Sequence, residues 1–147
     1  MALAHAMWTH GHSMQIEYPD RVDSVRRAGP FVQVLAHGGS ENWFHFAIPT
    51  PVIVDDSRLK ADSVLVRFKC GSGDVSVGAV HVYDGEGRIA EHNNLNLHPA
   101  DWDVERFQVP GRPEIQWGVG ISINVACGVE SMSHEIDFAS AGCDFWS

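Results

Sequence analysis

Nine histidines among 147 residues are the feature with the most direct chemical consequence, because imidazole is the commonest metal ligand and the usual general base near neutral pH. His10 and His12 stand two apart, so on a strand both rings would leave one face, and Glu17 follows after four intervening residues. Two imidazoles and a carboxylate in that order suit a divalent metal. Gly11 between them favours a turn or bulge, which would separate the rings.

Trp43-x-His45 and His81-x-Tyr83 form a second constellation. Strict alternation from Val75 to Tyr83 puts Val75, Val77, Ala79, His81 and Tyr83 on one face. His81 and Tyr83 would then continue an apolar stripe and, with Trp43 and His45, rim a small-molecule pocket. The loop from Glu91 to Asp103 is rich in Asn and Asp and carries Trp102, which are the ingredients of sugar recognition: a ring to stack on C–H faces, amides and carboxylates to bond hydroxyls. Asp101 and Asp103 offer oxygen ligands for calcium, without EF-hand spacing. Each feature also has a structural explanation: solvated terminal histidines, a hydrogen-bonded sheet histidine, and a turn-rich connection with Trp102 tucked into the core.

Other chemistries lose their anchors. The chain has no G-x-S-x-G, P-loop, G-x-G-x-x-G or H-E-x-x-H; His134-Glu135-Ile136-Asp137-Phe138 lacks the second His. Asp55-Asp56-Ser57 reads as a turn. A net charge of −9 repels phosphate backbones and anionic lipid, which argues against nucleic-acid and membrane partners. Apolar runs such as Thr50 to Val54 fall far short of the roughly 20 residues that span a bilayer. The N-terminal stretch lacks a cationic start and an apolar core, so no signal peptide and a cytoplasmic location are expected. Cys70, Cys127 and Cys143 are odd in number and widely spaced, as expected of buried free thiols.

These residues must be positioned by strands. From Trp117 to Cys127, apolar side chains alternate with Gly118, Gly120, Ser122, Asn124 and Ala126, which predicts a strand with one small or polar face. Val64–Cys70 and Val75–Tyr83 flank a Gly71-Ser72-Gly73-Asp74 turn and read as a hairpin. Further strands are expected at His5–Thr9, Met14–Tyr18, Phe31–Ala36, Trp43–Ile48, Val52–Val54, Arg88–His92, Arg106–Val109 and His134–Phe138. His98–Trp102 suits a single helical turn. The prolines of Ile48-Pro49-Thr50-Pro51-Val52 predict an extended, ladder-poor crossing between sheets. Many short strands with Gly and Pro turns, and no linker, predict an all-β chain: a single antiparallel β-sandwich or jelly-roll domain over residues 1–147.

Trp8-Thr9-His10-Gly11-His12-Ser13 and the stretch from Trp43 to Val54 resemble a family of small bacterial β-sandwich proteins known only as a domain of unknown function. That resemblance implies a bacterial origin and says nothing about mechanism. The spacing of His10, His12 and Glu17 resembles the first metal motif of the cupins, although the second, a Pro-x-Gly before a His, is absent.

Three readings of function remain open. The first is a small-molecule or glycan binder using Trp43, His45, His81, Tyr83 and Trp102, with no cofactor. The second is a cupin-like metal-dependent enzyme holding a divalent metal with His10, His12 and Glu17. The third is a structural protein that works as a homo-oligomer, with some of its five Trp exposed to partners.

Overall fold

The computed structural model describes residues 3–147; Met1 and Ala2, the start of the N-terminal stretch read above, lie outside the described residues. Alternating burial sets the strands. They are β1 (Leu3–His10), β2 (Gln15–Ile16), β3 (Val22–Arg27), β4 (Val32–Ala36), β5 (Glu41–Ala47), β6 (Ile53–Val54), β7 (Ser57–Arg58), β8 (Lys60–Cys70), β9 (Val75–Asp84), β10 (Gly87–His92), β11 (Asp103–Gln108), β12 (Val119–Cys127) and β13 (Glu135–Trp146).

One sheet has the order β11-β8-β13-β4-β3, with β1 also pairing β13; the other has the order β10-β9-β12-β5-β2, and β6-β7 is a separate ribbon. Every ladder is antiparallel. The result is an antiparallel β-sandwich, as the strand pattern predicts.

Phenylalanines join the two layers. Phe44 and Phe46 on β5 meet Phe138 on β13 at centroid distances of 5.5 and 5.7 Å, and Phe68 on β8 lies 6.4 Å from Phe138. All four are fully buried or nearly so, and burying each ring contributes about 1.5–3 kcal/mol.

Several expectations are corrected. Gly71–Asp74 does not close a hairpin: β8 and β9 lie in opposite sheets. Their apolar side chains, Val64, Val66 and Phe68 on one and Val75, Val77, Val80 and Val82 on the other, enter one core from opposing layers. Asp74 pins this corner by accepting hydrogen bonds from the Glu130 N–H at 3.0 Å and from His134 Nε2 at 2.7 Å. No helical turn forms over His98–Trp102; Leu97 instead bridges Val77. The last strand continues past Phe138 to Trp146. Its small residues conceal a second alternation, in which Ala141, Cys143 and Phe145 enter the core. The Ile48–Val52 segment is ladder-poor, as its prolines require, and carries the chain from the sheet of β5 to that of β8.

Candidate functional site

The outer face of the β10-β9-β12-β5-β2 sheet gathers polar and aromatic side chains. On β12, Val119, Ile121, Ile123 and Val125 point into the core, which leaves Gly120, Ser122 and Asn124 on the outside, as predicted. On β5, Phe44 and Phe46 point inward, so Trp43 and His45 point out.

On β9 the predicted stripe is broken. Asn124 pairs Ala79 whereas Val125 pairs Val77, so Gly78 is an extra residue and β9 bulges. Beyond the bulge the faces exchange: Val80 and Val82 enter the core, and Ala79, His81 and Tyr83 turn outward. His81 and Tyr83 thus do not continue the stripe of Val75 and Val77. They join Trp43 and His45 on the opposite side.

Register sets the rows. Gln15, His45, Ser122, His81 and Glu91 run across the sheet, and Ala47, Gly120, Tyr83 and Arg88 form the next row. The Trp43 and His81 rings meet at 5.0 Å across Asn124 and Ala79, tilted by 50°. With its proton on Nε2, His45 donates to Glu17 Oε1 at 2.8 Å and accepts from Ser122 Oγ at 2.8 Å on Nδ1. The His45 hydrogen bond is the largest influence on the Glu17 carboxyl and holds it below its ordinary range. His81 Nε2 bonds Asn93 Oδ1 at 2.8 Å. Together Glu17, Trp43, His45, His81, Tyr83, Arg88 and Ser122 line a recess of about 310 Å³.

The recess sets the Trp43 and Tyr83 rings beside donors and acceptors whose orientations are already fixed by partners. Ser122 and Arg88 are additions that composition alone did not single out, whereas Asn93 belongs to the Asn-rich loop read as suited to sugars. The outward face of β12 was the available signal for Ser122, whereas Arg88 and Asn93 reach the site only through pairing and folding of the β10 region.

Trp102 is not part of it. Its ring packs against Phe31 at 5.4 Å, with Lys69 Nζ 4.9 Å away, on the side of β8 and β11. In the same loop, Asp101 and Asp103 each accept the following backbone N–H, at 2.8 and 2.9 Å. The metal triad does not converge either. His10 ends β1, Gly11–Ser13 forms a short 3-10 turn, and the His10 and His12 rings meet edge-on at 4.2 Å. His12 bonds the Ala28 carbonyl while Glu17 turns to His45. Among the described residues, no group of three or more His, Cys, Asp or Glu is arranged to hold a metal ion.

The three cysteines are buried free thiols. Burial pushes Cys70 and Cys143 up to about 12 and Cys127 up to about 11, so none supplies a thiolate near neutral pH. A second recess, of about 380 Å³, lies at the β8–β9 corner beside Lys69, Ser72, His98, Glu135 and Asp137, without a converging aromatic surface. No described helix is long and apolar enough to cross a membrane.

Solved structures with this fold are distant in sequence. A low-affinity xylan-binding module of family CBM86 from Roseburia intestinalis is 10% identical, with a TM-score of 0.56 over 97% of each chain. The CBM27-1 module of Caldicellulosiruptor saccharolyticus, solved with mannohexaose, is 10% identical, with a TM-score of 0.52 over 95% of this chain and 96% of its own. A Stig cyclase, Fisc, from Fischerella sp. TAU is 14% identical, with a TM-score of 0.53 over 93% and 88%. These likenesses establish the sandwich fold. No curated protein matches the sequence. The family model for a family of unknown function, DUF6623, matches residues 3–145, and the chain belongs to that family.

Proposed function

We propose that this protein is a glycan-binding β-sandwich whose site is the outer face bearing Trp43, His45, His81 and Tyr83. The observation that carries the reading is the convergence of these four side chains from β5 and β9 onto one recess, with Ser122 between them. A sugar presents apolar C–H faces and hydroxyls together. Trp43 and Tyr83 suit the former; His45, Glu17, Ser122 and Arg88 suit the latter.

The fold supports the reading because carbohydrate-binding modules share it, including one that binds xylan and one solved with mannohexaose. A cyclase shares it too, so the side chains of the recess carry more weight than the fold. Xylohexaose and mannohexaose are the first probes, tested by calorimetry alongside a broader glycan array. Trp43→Ala should weaken binding at least tenfold, since an aromatic contact is worth about 0.5–1.5 kcal/mol beyond the area it buries. Unchanged affinity in Trp43→Ala, or no glycan bound by the native protein, would defeat the reading.

A further inference from the structure

The recess does not end at Tyr83. An adjoining one of about 580 Å³ continues along β12, lined by Gln15, His45, Tyr83, Gly85, Gly118 and Gly120 among others. From Asn124 to Gly118 the chain spans roughly 20 Å at about 3.3 Å per residue, room for several linked sugar rings.

Gly120 is the informative floor residue. A glycine inside a strand weakens it and ordinarily marks a bulge, or a place where another backbone or a ligand comes close. Pairing is regular here, with Ala47 on one side and Tyr83 on the other, and a Cβ added to Gly120 would meet no atom within 4 Å. Neither a bulge nor a close protein neighbour accounts for it.

Trp117 stands at the far end. Sequence alternation placed it as the first core residue of a strand, yet it is 74% exposed and the strand begins only at Val119. Its loop is nevertheless held firmly. The N–H groups of Gln116, Trp117 and Gly118 donate to the Asp84 carboxylate at 2.8, 2.8 and 3.1 Å. The ring packs on Gly85, where a φ of +58° and a Trp117 side chain 3.0–3.2 Å from an added Cβ both disfavour any larger residue. Burial raises the Asp84 carboxyl, but the three donors and Arg58 outweigh it and keep the group ionised. A large ring displayed to solvent on a pinned loop, beside a recess, fits a platform for a ligand rather than a part of the core.

We infer that the site takes an extended, unbranched, neutral oligosaccharide lying along β12, with Trp43 and His81 at one end and Trp117 as a second aromatic subsite at the other. The inference rests on the sugar-binding reading above. Neutrality follows from the lining: Glu17 borders the trough, and Arg88 is paired with Glu91 at 3.2 Å, so among the described residues that line it no unpaired Lys or Arg awaits an acidic sugar.

The test compares a hexaose with the disaccharide of the same series, titrated into the native protein, Trp117→Ala, Gly120→Val and Trp43→Ala. Valine suits a strand and its Cβ meets no atom within 4 Å at position 120, so that variant should fold normally and obstruct the trough. Trp117→Ala and Gly120→Val should each weaken hexaose binding roughly tenfold while disaccharide affinity changes less than about twofold. Hexaose affinity unchanged in both, with Trp43→Ala still defective, would overturn the extended subsite and leave the sugar site standing. Hexaose and disaccharide bound equally by the native protein would overturn it as well. Trp43→Ala binding like the native protein would overturn both.

Discussion

Asp137 shows what a single buried charge does in this sheet. It is 2% exposed on β13, between Lys69 and Gln33 of the flanking strands, and its Oδ1 has no hydrogen-bond partner among the described residues. Burial pushes the carboxyl up to about 7; Glu135 adds to the rise, and Lys69 and Arg26 partly offset it. A carboxyl whose native pKa lies above its unfolded value favours folding in its protonated form. That contribution is complete below the ordinary value of 3.8 and is lost as the pH climbs through about 7. Asp137→Asn, which stays neutral and keeps the shape, should therefore be more stable than the native protein at pH 8, by on the order of 1–2 kcal/mol. The advantage should shrink toward pH 4. Thermal melts of both proteins across that range check this, and a pH-independent difference would count against it.

Among the elements, β9 decides whether there is a site at all. Its extra residue, Gly78, lets one strand send Val75, Val77, Val80 and Val82 to the core while His81 and Tyr83 face out beside Trp43 and His45. Without the bulge, alternation would drive either an imidazole and a phenol or two valines to the wrong side. The bulge absorbs one residue, so an alanine inserted after Ala79 should reverse the facing of everything beyond it and cost more than about 4 kcal/mol or abolish cooperative unfolding, whereas deleting Gly78 leaves Val75, Val77, Val80 and Val82 in strict alternation and should be tolerated. Gly78→Ala is the control: its added carbon comes no closer than 3.3 Å to Asn124 Oδ1, so only a small shift is needed. Denaturant titration distinguishes the variants, and an insertion variant as stable as the alanine variant would refute the role given to the bulge.

Across the whole molecule, Phe138 is where the layers lock. It meets Phe44 and Phe46 from the facing sheet and Phe68 from its own, with no exposure. It also precedes the point at which β13 changes neighbours, from β4 at Phe138 to β1 at Ser140. Phe138→Ala should lose about 3–5 kcal/mol in urea unfolding, from lost transfer energy and the cavity left behind. Phe138→Leu, which fills more of the space, should lose less. The proposed glycan binding should survive in Phe138→Leu, because the recess uses the outward side chains of the sheet and the core its inward ones; calorimetry on the folded variant checks this.

Strand alternation is local, a consequence of the two-residue period of the backbone, so the β-sandwich class and the outward face of β12 were legible in the residues themselves. Trp43 and His45, two apart between inward phenylalanines, were legible for the same reason. The remainder depended on which strands meet. Alternation across Gly78 placed His81 and Tyr83 on the core side, and only pairing with β12 reveals the bulge that turns them out. Gly71–Asp74 has hairpin composition, yet β8 pairs with β11 and β13 while β9 pairs with β10 and β12, partners distant in sequence that local composition does not specify. Glu17 looked like a third ligand for His10 and His12, but the pairing of β2 with β5 brought it to His45. Side-chain period is set by adjacent peptide units, whereas register and layer assignment are set by contacts between residues far apart in the chain, and these only the tertiary structure decided.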